Sequence, residues 1–150
     1  MEFIPLDEAS YRTLLSWFDD PLLRRWYGPP TDTWLHYVHN EPGVYVWMVH
    51  ENQTPIGHIQ MDIHEDGVGY IGFIINPGLR NQGYGRRMIS EFLGLPEISR
   101  TSRVIAEVEV ENYASINCLL AVGFIVENPQ PNEQGFISYS IIPPRNLPQP

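Results

Sequence analysis

Apolar positions recur along the chain in two rhythms, and the rhythm changes wherever proline, glycine or asparagine interrupts it. Glu2–Leu6 reads as a short opening strand. Glu8–Phe18 reads as a helix, with Asp7 as N-cap and Leu14, Leu15, Trp17 and Phe18 as its apolar face. Pro21 and the Gly28-Pro29-Pro30 cluster then isolate a short aromatic segment holding Leu22, Leu23, Trp26 and Tyr27. A second helix is predicted over Thr33–His39, capped by Asp32 or Thr31.

From Val44 the period becomes that of strands. Val44–His50, Pro55–Ile63 and Val68–Ile75 are joined by polar turns at Asn52-Gln53 and His64–Gly67, which predicts an antiparallel meander. Asn76-Pro77-Gly78 ends the third strand, and Gly85–Leu93 reads as a helix stopped near Gly94 and Pro96. Arg103–Val110 alternates strictly, with Glu107, Glu109 and Glu111 on one face and Ala106, Val108 and Val110 on the other. Ala114–Val122 is a helix that ends at Gly123, a suitable C′ residue. Phe124–Glu127 and Phe136–Ile142 close the pattern as a strand pair, followed by an extended or frayed tail over 143–150. This order describes a mixed α/β domain rather than a repeated βαβ dinucleotide fold.

Composition narrows the picture. A chain of 150 residues fits one domain over 1–150, and 43% hydrophobic content is enough to build a core. Eighteen acidic residues oppose nine cationic ones, a formal charge of −9, and every cation is an arginine. That balance argues against nucleic-acid binding through broad phosphate neutralisation and favours a cationic small-molecule partner. The single cysteine, Cys118, excludes an internal disulfide framework and a cysteine-only metal cage. His36 and His39 stand three apart on a helix, but no third ligand accompanies them, so no metal is expected. The N-terminal residues carry no basic, apolar leader and no apolar run is long enough to span a bilayer, so the expectation is a cytoplasmic protein with no membrane partner.

One stretch runs against the acidic background. Arg80-Asn81-Gln82-Gly83-Tyr84-Gly85-Arg86-Arg87 lies between a strand and a helix. The first N–H groups of a helix lack internal partners, glycines let the backbone approach a ligand, and arginines add charge-assisted bonds, so the segment suits an anion. Gly-Lys-Ser/Thr is missing, which excludes a Walker loop; Met88 stands where a dinucleotide loop needs its third glycine. An ordinary strand–helix turn, with glycine for geometry and arginine for solubility, is the competing reading.

Arg80-x-x-Gly83-x-Gly85, between a strand and a helix, resembles the acetyl-CoA pyrophosphate loop of the GNAT superfamily of N-acetyltransferases. Asn112-Tyr113-Ala114-Ser115-Ile116, ending in Gly123-Phe124, resembles that family's second signature, at a similar spacing. The resemblance spans the element order of the whole chain. It is nearest the ribosomal-protein and aminoglycoside-type acetyltransferases over Arg103–Phe124, and the aromatic N-terminal half is similar to the aminoglycoside 6′-type enzymes. It implies a single-domain GNAT-like fold: a central, mostly antiparallel sheet with one splayed strand pair, flanked by about four helices.

The resemblance also implies roles. Phe73, Ile74 and Ile75 would meet the pantetheine arm through their main chain, and Arg80, Asn81, Gln82, Gly83, Tyr84, Gly85 and Arg86 would hold the pyrophosphate. Asn112 would contact the pantetheine, and Ser115 would lie near the thioester sulfur. The expected reaction is direct attack of a primary amine on the acetyl carbonyl, with acetyl-CoA as co-substrate and a small cationic acceptor. Trp26 and Tyr27 are expected to line the acceptor pocket, and Glu107 is the first candidate for the base, with Asp62 or water as alternatives. Tyr70 stands on the third meander strand where relatives often place an acidic residue. The tyrosine that many members use to protonate the thiolate is Leu119 here, which leaves Tyr113, Ser115 or Cys118, Ser115 first, or no acid at all. Protein N-terminal acetylation and a non-catalytic acyl-CoA sensor are the alternative functions, and a homodimer through the last strands is a family-level expectation.

Overall fold

A computed structural model describes residues 1–144. The tail expected to be extended therefore lies mostly outside the described residues. The chain runs β1 (Glu2–Pro5), α1 (Glu8–Trp17), α2 (Pro21–Trp26), α3 (Asp32–Asn40), β2 (Val44–Glu51), β3 (Thr54–Ile63), β4 (Val68–Ile75), α4 (Tyr84–Phe92), β5 (Arg103–Glu109), α5 (Tyr113–Val122), β6 (Ile125–Val126) and β7 (Phe136–Ile141). Two short 3-10 turns, Pro77–Leu79 and Pro96–Arg100, flank α4.

Local chemistry sets the element ends. Asp7 and Ser10 form a reciprocal capping box at α1, each side chain bonding the other's backbone N–H, at 2.8 and 2.9 Å. Thr31, rather than Asp32, caps α3 by accepting from the Trp34 N–H at 3.1 Å. The segment read only as a short aromatic stretch forms a helix, α2, which makes five where about four were expected. Asp20 accepts from the Leu23 N–H at 2.9 Å and Pro21 occupies the first turn, where its missing N–H costs nothing. Asn52 and Gln53 both take positive φ, 49° and 67°, as a two-residue hairpin with strand-matched twist requires. β5 stops at Glu109 and β6 is only two residues long, so both strands end earlier than the alternation suggested.

The seven strands form one sheet in the order β1-β2-β3-β4-β5-β7-β6. Every pairing is antiparallel except β4 with β5. That parallel ladder runs from Val68↔Arg103 to Ile71↔Ala106 and stops, although both strands continue.

Period-two alternation sorts the sheet into two faces. Trp47, Ile59, Met61, Ile71, Phe73, Val104 and Ala106 pack with Met88, Ile89 and Phe92 of α4 and Leu119 of α5. Val46, Met48 and Ile74 on the other face pack with Leu14, Trp17, Leu23 and Val38 of α1–α3. The close approach of α4 to the sheet depends on Gly57, where a Cβ would lie 2.6 Å from Met88 Sδ and 3.0 Å from the Ile74 carbonyl oxygen. We expect Gly57→Ala to destabilise the fold by about 1–3 kcal/mol through overpacking, measured as a lower urea midpoint at unchanged slope.

Candidate functional site

The stopped ladder opens the site. Gly72–Ile75 on β4 keep their bonds to β3, but their other edge has no strand beside it among the described residues. Two cavities meet along this edge and share Tyr27, Phe73 and Ile74 as walls. Tyr27 follows α2, and its hydroxyl donates to the Phe73 carbonyl at 3.2 Å. Burial raises the tyrosine's ionisation range, so the hydroxyl stays a donor.

The first cavity, about 460 Å³, lies between the end of β4, the start of α4 and α5. Gly83 is the N-cap of α4 in the left-handed region, φ 84°, with no side chain capping the helix. A Cβ there would meet nothing within 4 Å, so glycine is required by conformation rather than by crowding. Asn81 is also left-handed, φ 62°. The uncapped N–H groups and the helix dipole make this end of α4 locally positive.

The three loop arginines are not equivalent. Arg80 donates to Asp20 at 2.7 Å, and that bond, with the Leu23 N–H, holds the Asp20 carboxyl below the usual range. Arg87 is paired with Glu51. Arg86, on the cavity wall, forms no ion pair among the described residues.

The second cavity, about 700 Å³, is on the face of the sheet beneath α1–α3. His58, Gln60 and Asp62 of β3, Tyr70 and Gly72 of β4 and Glu107 of β5 form its floor, with Trp34 and the Gly28-Pro29-Pro30 segment above. Trp34 Nε1–H donates to Gln60 Oε1 at 3.1 Å, Gln60 Nε2 donates to Asp62 Oδ1 at 2.8 Å, and the Tyr37 hydroxyl donates to Asp62 Oδ2 at 2.9 Å. Two carboxylates face this space, and no arginine lines it among the described residues.

Comparison with known proteins fits this geometry. The sequence pattern of the acetyltransferase (GNAT) family matches residues 11–124. The chain belongs to that family. It is 29% identical over 138 residues to the uncharacterized N-acetyltransferase YfmK of Bacillus subtilis, covering 91% of this chain and 93% of that one. Its fold superposes with a TM-score of 0.80 on aminoglycoside acetyltransferase AAC(6′)-Ib in complex with coenzyme A and kanamycin, at 17% identity and 93% coverage of each chain. Against ribosomal-protein-S5-alanine acetyltransferase from Vibrio fischeri the TM-score is 0.77, at 17% identity, covering 97% of this chain and 94% of that one.

Within this GNAT fold the expected residues fall into place unevenly. Phe73, Ile74, Ile75, Arg80, Asn81, Gly83, Tyr84, Gly85, Arg86, Asn112 and Ser115 all line the cavity at α4. Gln82 is exposed and does not line it. Asn112 is buried and spends its carbonyl oxygen as the cap of α5, accepting from the Ser115 N–H at 3.4 Å. Leu119 is wholly buried in the core, Tyr113 is exposed and off both cavity walls, and Cys118 lines the same wall as Ser115. Burial pushes the Cys118 thiol up, so it stays protonated, although Arg86 pulls the other way.

Glu107 reaches the larger cavity, whereas Glu111 lies beyond the strand and pairs with Arg25 at 2.9 Å. Trp26 lines the cavity at α4 and not the larger one, because it ends α2 on the side turned toward the loop, with Arg25 stacked 4.6 Å from its ring.

The sequence reading missed His58, Gln60 and Trp34. The first two share a strand face with Asp62, a polar stripe at period two inside a buried strand, and that was the available signal. His58 is buried, its Nδ1 has no hydrogen-bond partner, and desolvation lowers its pKa to about 4 against an opposing backbone hydrogen bond with Trp47. A histidine kept neutral by burial binds fewer protons folded than unfolded. Its contribution is therefore present above about pH 6.5 and is lost as the pH falls toward about 4. Urea titrations across that range should show the wild type losing stability toward acid, with the loss reduced in His58→Phe.

Proposed function

We propose that this chain transfers the acetyl group of acetyl-CoA to a primary amine of a small cationic acceptor. The observation that carries the reading is the meeting of two cavities of opposite character at the free edge of β4. One offers an uncapped helix N-terminus, a left-handed glycine and an arginine with no ion pair among the described residues, groups suited to a pyrophosphate. The other offers Asp62 and Glu107, groups suited to an ammonium. The similarity to an aminoglycoside acetyltransferase solved with coenzyme A and kanamycin supports the same division.

In this reading acetyl-CoA supplies an activated acyl group as a thioester. The backbone N–H groups from Gly83 to Arg86 and the Arg86 guanidinium hold its pyrophosphate, and the free edge of Phe73–Ile75 orients its arm. Asp62 and Glu107 draw in the cationic acceptor. As the amine nitrogen bonds to the acetyl carbon and the carbon–sulfur bond breaks, Glu107 takes the proton leaving nitrogen. The departing sulfur takes the Ser115 hydroxyl proton while the serine regains one from water, to which Glu107 gives up the proton from nitrogen; Ser115 lies on the wall of the cavity at α4. An N–H on the free edge of β4 stabilises the oxyanion.

Release of free CoA thiol, followed over a panel of amines and one peptide N-terminus, tests the function. Turnover on a small cationic amine is expected. Stabilisation by acetyl-CoA with no turnover on any member would overturn transfer in favour of sensing, and turnover on the peptide alone would overturn the small acceptor.

Gly83→Val forces a β-branched residue into the left-handed region without a clash, so acetyl-CoA affinity should fall at least about tenfold by calorimetry while the melting temperature changes little. Glu107→Gln should lower kcat/KM by about a hundredfold and leave acetyl-CoA affinity unchanged.

A further inference from the structure

The floor of the larger cavity has a gap one residue wide. β4 is the middle strand of the sheet, between β3 and β5. Its residues Tyr70, Gly72 and Ile74 alternate onto the face beneath α1–α3 and line that cavity. Gly72 is exposed, whereas Ile71 and Phe73 on either side of it are buried. Across the sheet Gly72 pairs with Gln60 of β3. Toward β5 the ladder ends at Ile71↔Ala106, so Gly72 and Glu107 are each the next residue past it. Gln60 and Glu107 line the cavity as well. Tyr70, Ile74, Gln60 and Glu107 therefore rim a notch whose bottom is the bare backbone of Gly72.

Glycine weakens a strand, because it loses the most backbone entropy on folding and packs no side chain, so one inside a strand needs a reason. The other two strand glycines among the described residues have one. A Cβ on Gly57 would lie 2.6 Å from Met88 Sδ, and a Cβ on Gly69 would lie 3.1 Å from Thr101 Cγ2 and 3.2 Å from Met61 Sδ. At Gly72 a Cβ would meet nothing within 4 Å among the described residues. Its φ lies outside the left-handed region, so alanine fits the backbone. No bulge calls for it, since the β3–β4 register runs through Gln60↔Gly72 without a shift. Neither packing nor conformation asks for glycine here. The remaining use of a strand glycine is close approach of a ligand to the backbone.

We propose that Gly72 is a specificity-determining residue, which admits the amine-bearing carbon of the acceptor into the notch and down to the backbone of β4. The proposal rests on the transfer reading above for what the ligand is, and on the geometry of β4 for where it sits. The occupant is an alkyl primary amine. Such a group is slim enough for a gap one side chain wide, and the carboxylates of Glu107 on the rim and Asp62 beyond Gln60 suit its ammonium. The notch also lies where the free edge of β4 begins. A nitrogen seated in it comes level with that edge, beside the proposed path of the acetyl-CoA arm. A side chain at position 72 would hold the nitrogen above that level, out of reach of the acetyl carbon.

Gly72→Ala separates this role from a structural one, because the two predict opposite signs. The methyl group enters space that the folded chain leaves open, so the melting temperature should rise by about 1–4 °C. In the same variant kcat/KM for hexylamine should fall at least about tenfold, the cost of one carbon too many in a fitted pocket. Acetyl-CoA affinity, measured by calorimetry, should not change. Gly72→Val should deepen the loss of kcat/KM. A lower melting temperature in Gly72→Ala, or a smaller fall in kcat/KM than that, overturns the proposal. A parallel loss of acetyl-CoA affinity also overturns it, in favour of a role for Gly72 on the cofactor's edge.

A second readout needs no turnover. Hexylamine titrated into protein labelled at the backbone nitrogens should shift the Gly72 and Phe73 amides of the wild type, and should bind Gly72→Ala at least about tenfold more weakly. Equal binding by the two proteins, or no binding by the wild type, overturns the proposal. Failure of the transfer reading would look different: the wild type would release no thiol with any amine, while hexylamine would still shift the Gly72 amide and still distinguish the wild type from Gly72→Ala.

Discussion

The parallel ladder between β4 and β5 stops at Ile71 and Ala106 while both strands run on, and most of the site follows from that. Backbone N–H and C=O groups need partners, and a strand that loses its neighbour inside a sheet presents a row of them. Here the row is covered on the α1–α3 side by Tyr27, whose hydroxyl takes the Phe73 carbonyl, and is otherwise flanked by the two cavities. Had the ladder continued, β5 would have closed the sheet where the cavities meet. The same interruption leaves Glu107, the first residue of β5 beyond the last ladder pair, at the wall of the larger cavity.

Charge is distributed to match. A chain of net charge −9 repels anions at long range, and the fold offsets this only locally, at the start of α4. Two of the three loop arginines are committed to carboxylates: Arg80 to Asp20, which also caps α2, and Arg87 to Glu51 at the end of β2. They brace the loop against the N-terminal helices and the meander. Arg86 is left on the cavity wall without an ion pair among the described residues. A motif that reads as three equivalent cations is, once folded, two struts and one free charge.

Much of this was legible in the residues. The meander, the Asn52-Gln53 hairpin, the helix stopped by Gly123 and the glycine loop each rest on local chemistry that a sequence carries openly, and the two separated motifs identified the family. What stayed hidden depends on tertiary contact. The helix α2 was obscured because its capping residue, Asp20, sits beside proline in a segment dominated by aromatic residues. The direction of Trp26 is fixed by where a six-residue helix ends, which periodicity cannot reveal over so short a span. His58 and Gln60 on the floor of the larger cavity were missed because they, like Asp62, alternate with apolar residues that do belong to the core. An alternating strand is ordinarily read as having one wet face, and here that face is roofed by helices.

The position of Leu119 bears on how sulfur can leave. It is wholly buried among the residues of α4 and the sheet, so a tyrosine at that site would have to displace core packing to reach the cavity at α4. The wall there is instead shaped by small residues, Gly85, Ala114, Ser115 and Cys118. Gly85 cannot grow, because a Cβ would lie 2.9 Å from Cys118 Sγ. Cys118 is held protonated by its burial and belongs to the packing around the core. Ser115 is in the first turn of α5, where its N–H is already satisfied by Asn112, which leaves the hydroxyl unclaimed by the helix cap. Among the side chains proposed for the thiolate, it alone combines a place on the wall with freedom from core packing, and the case for Ser115 therefore rests on what surrounds Leu119 as much as on Ser115 itself.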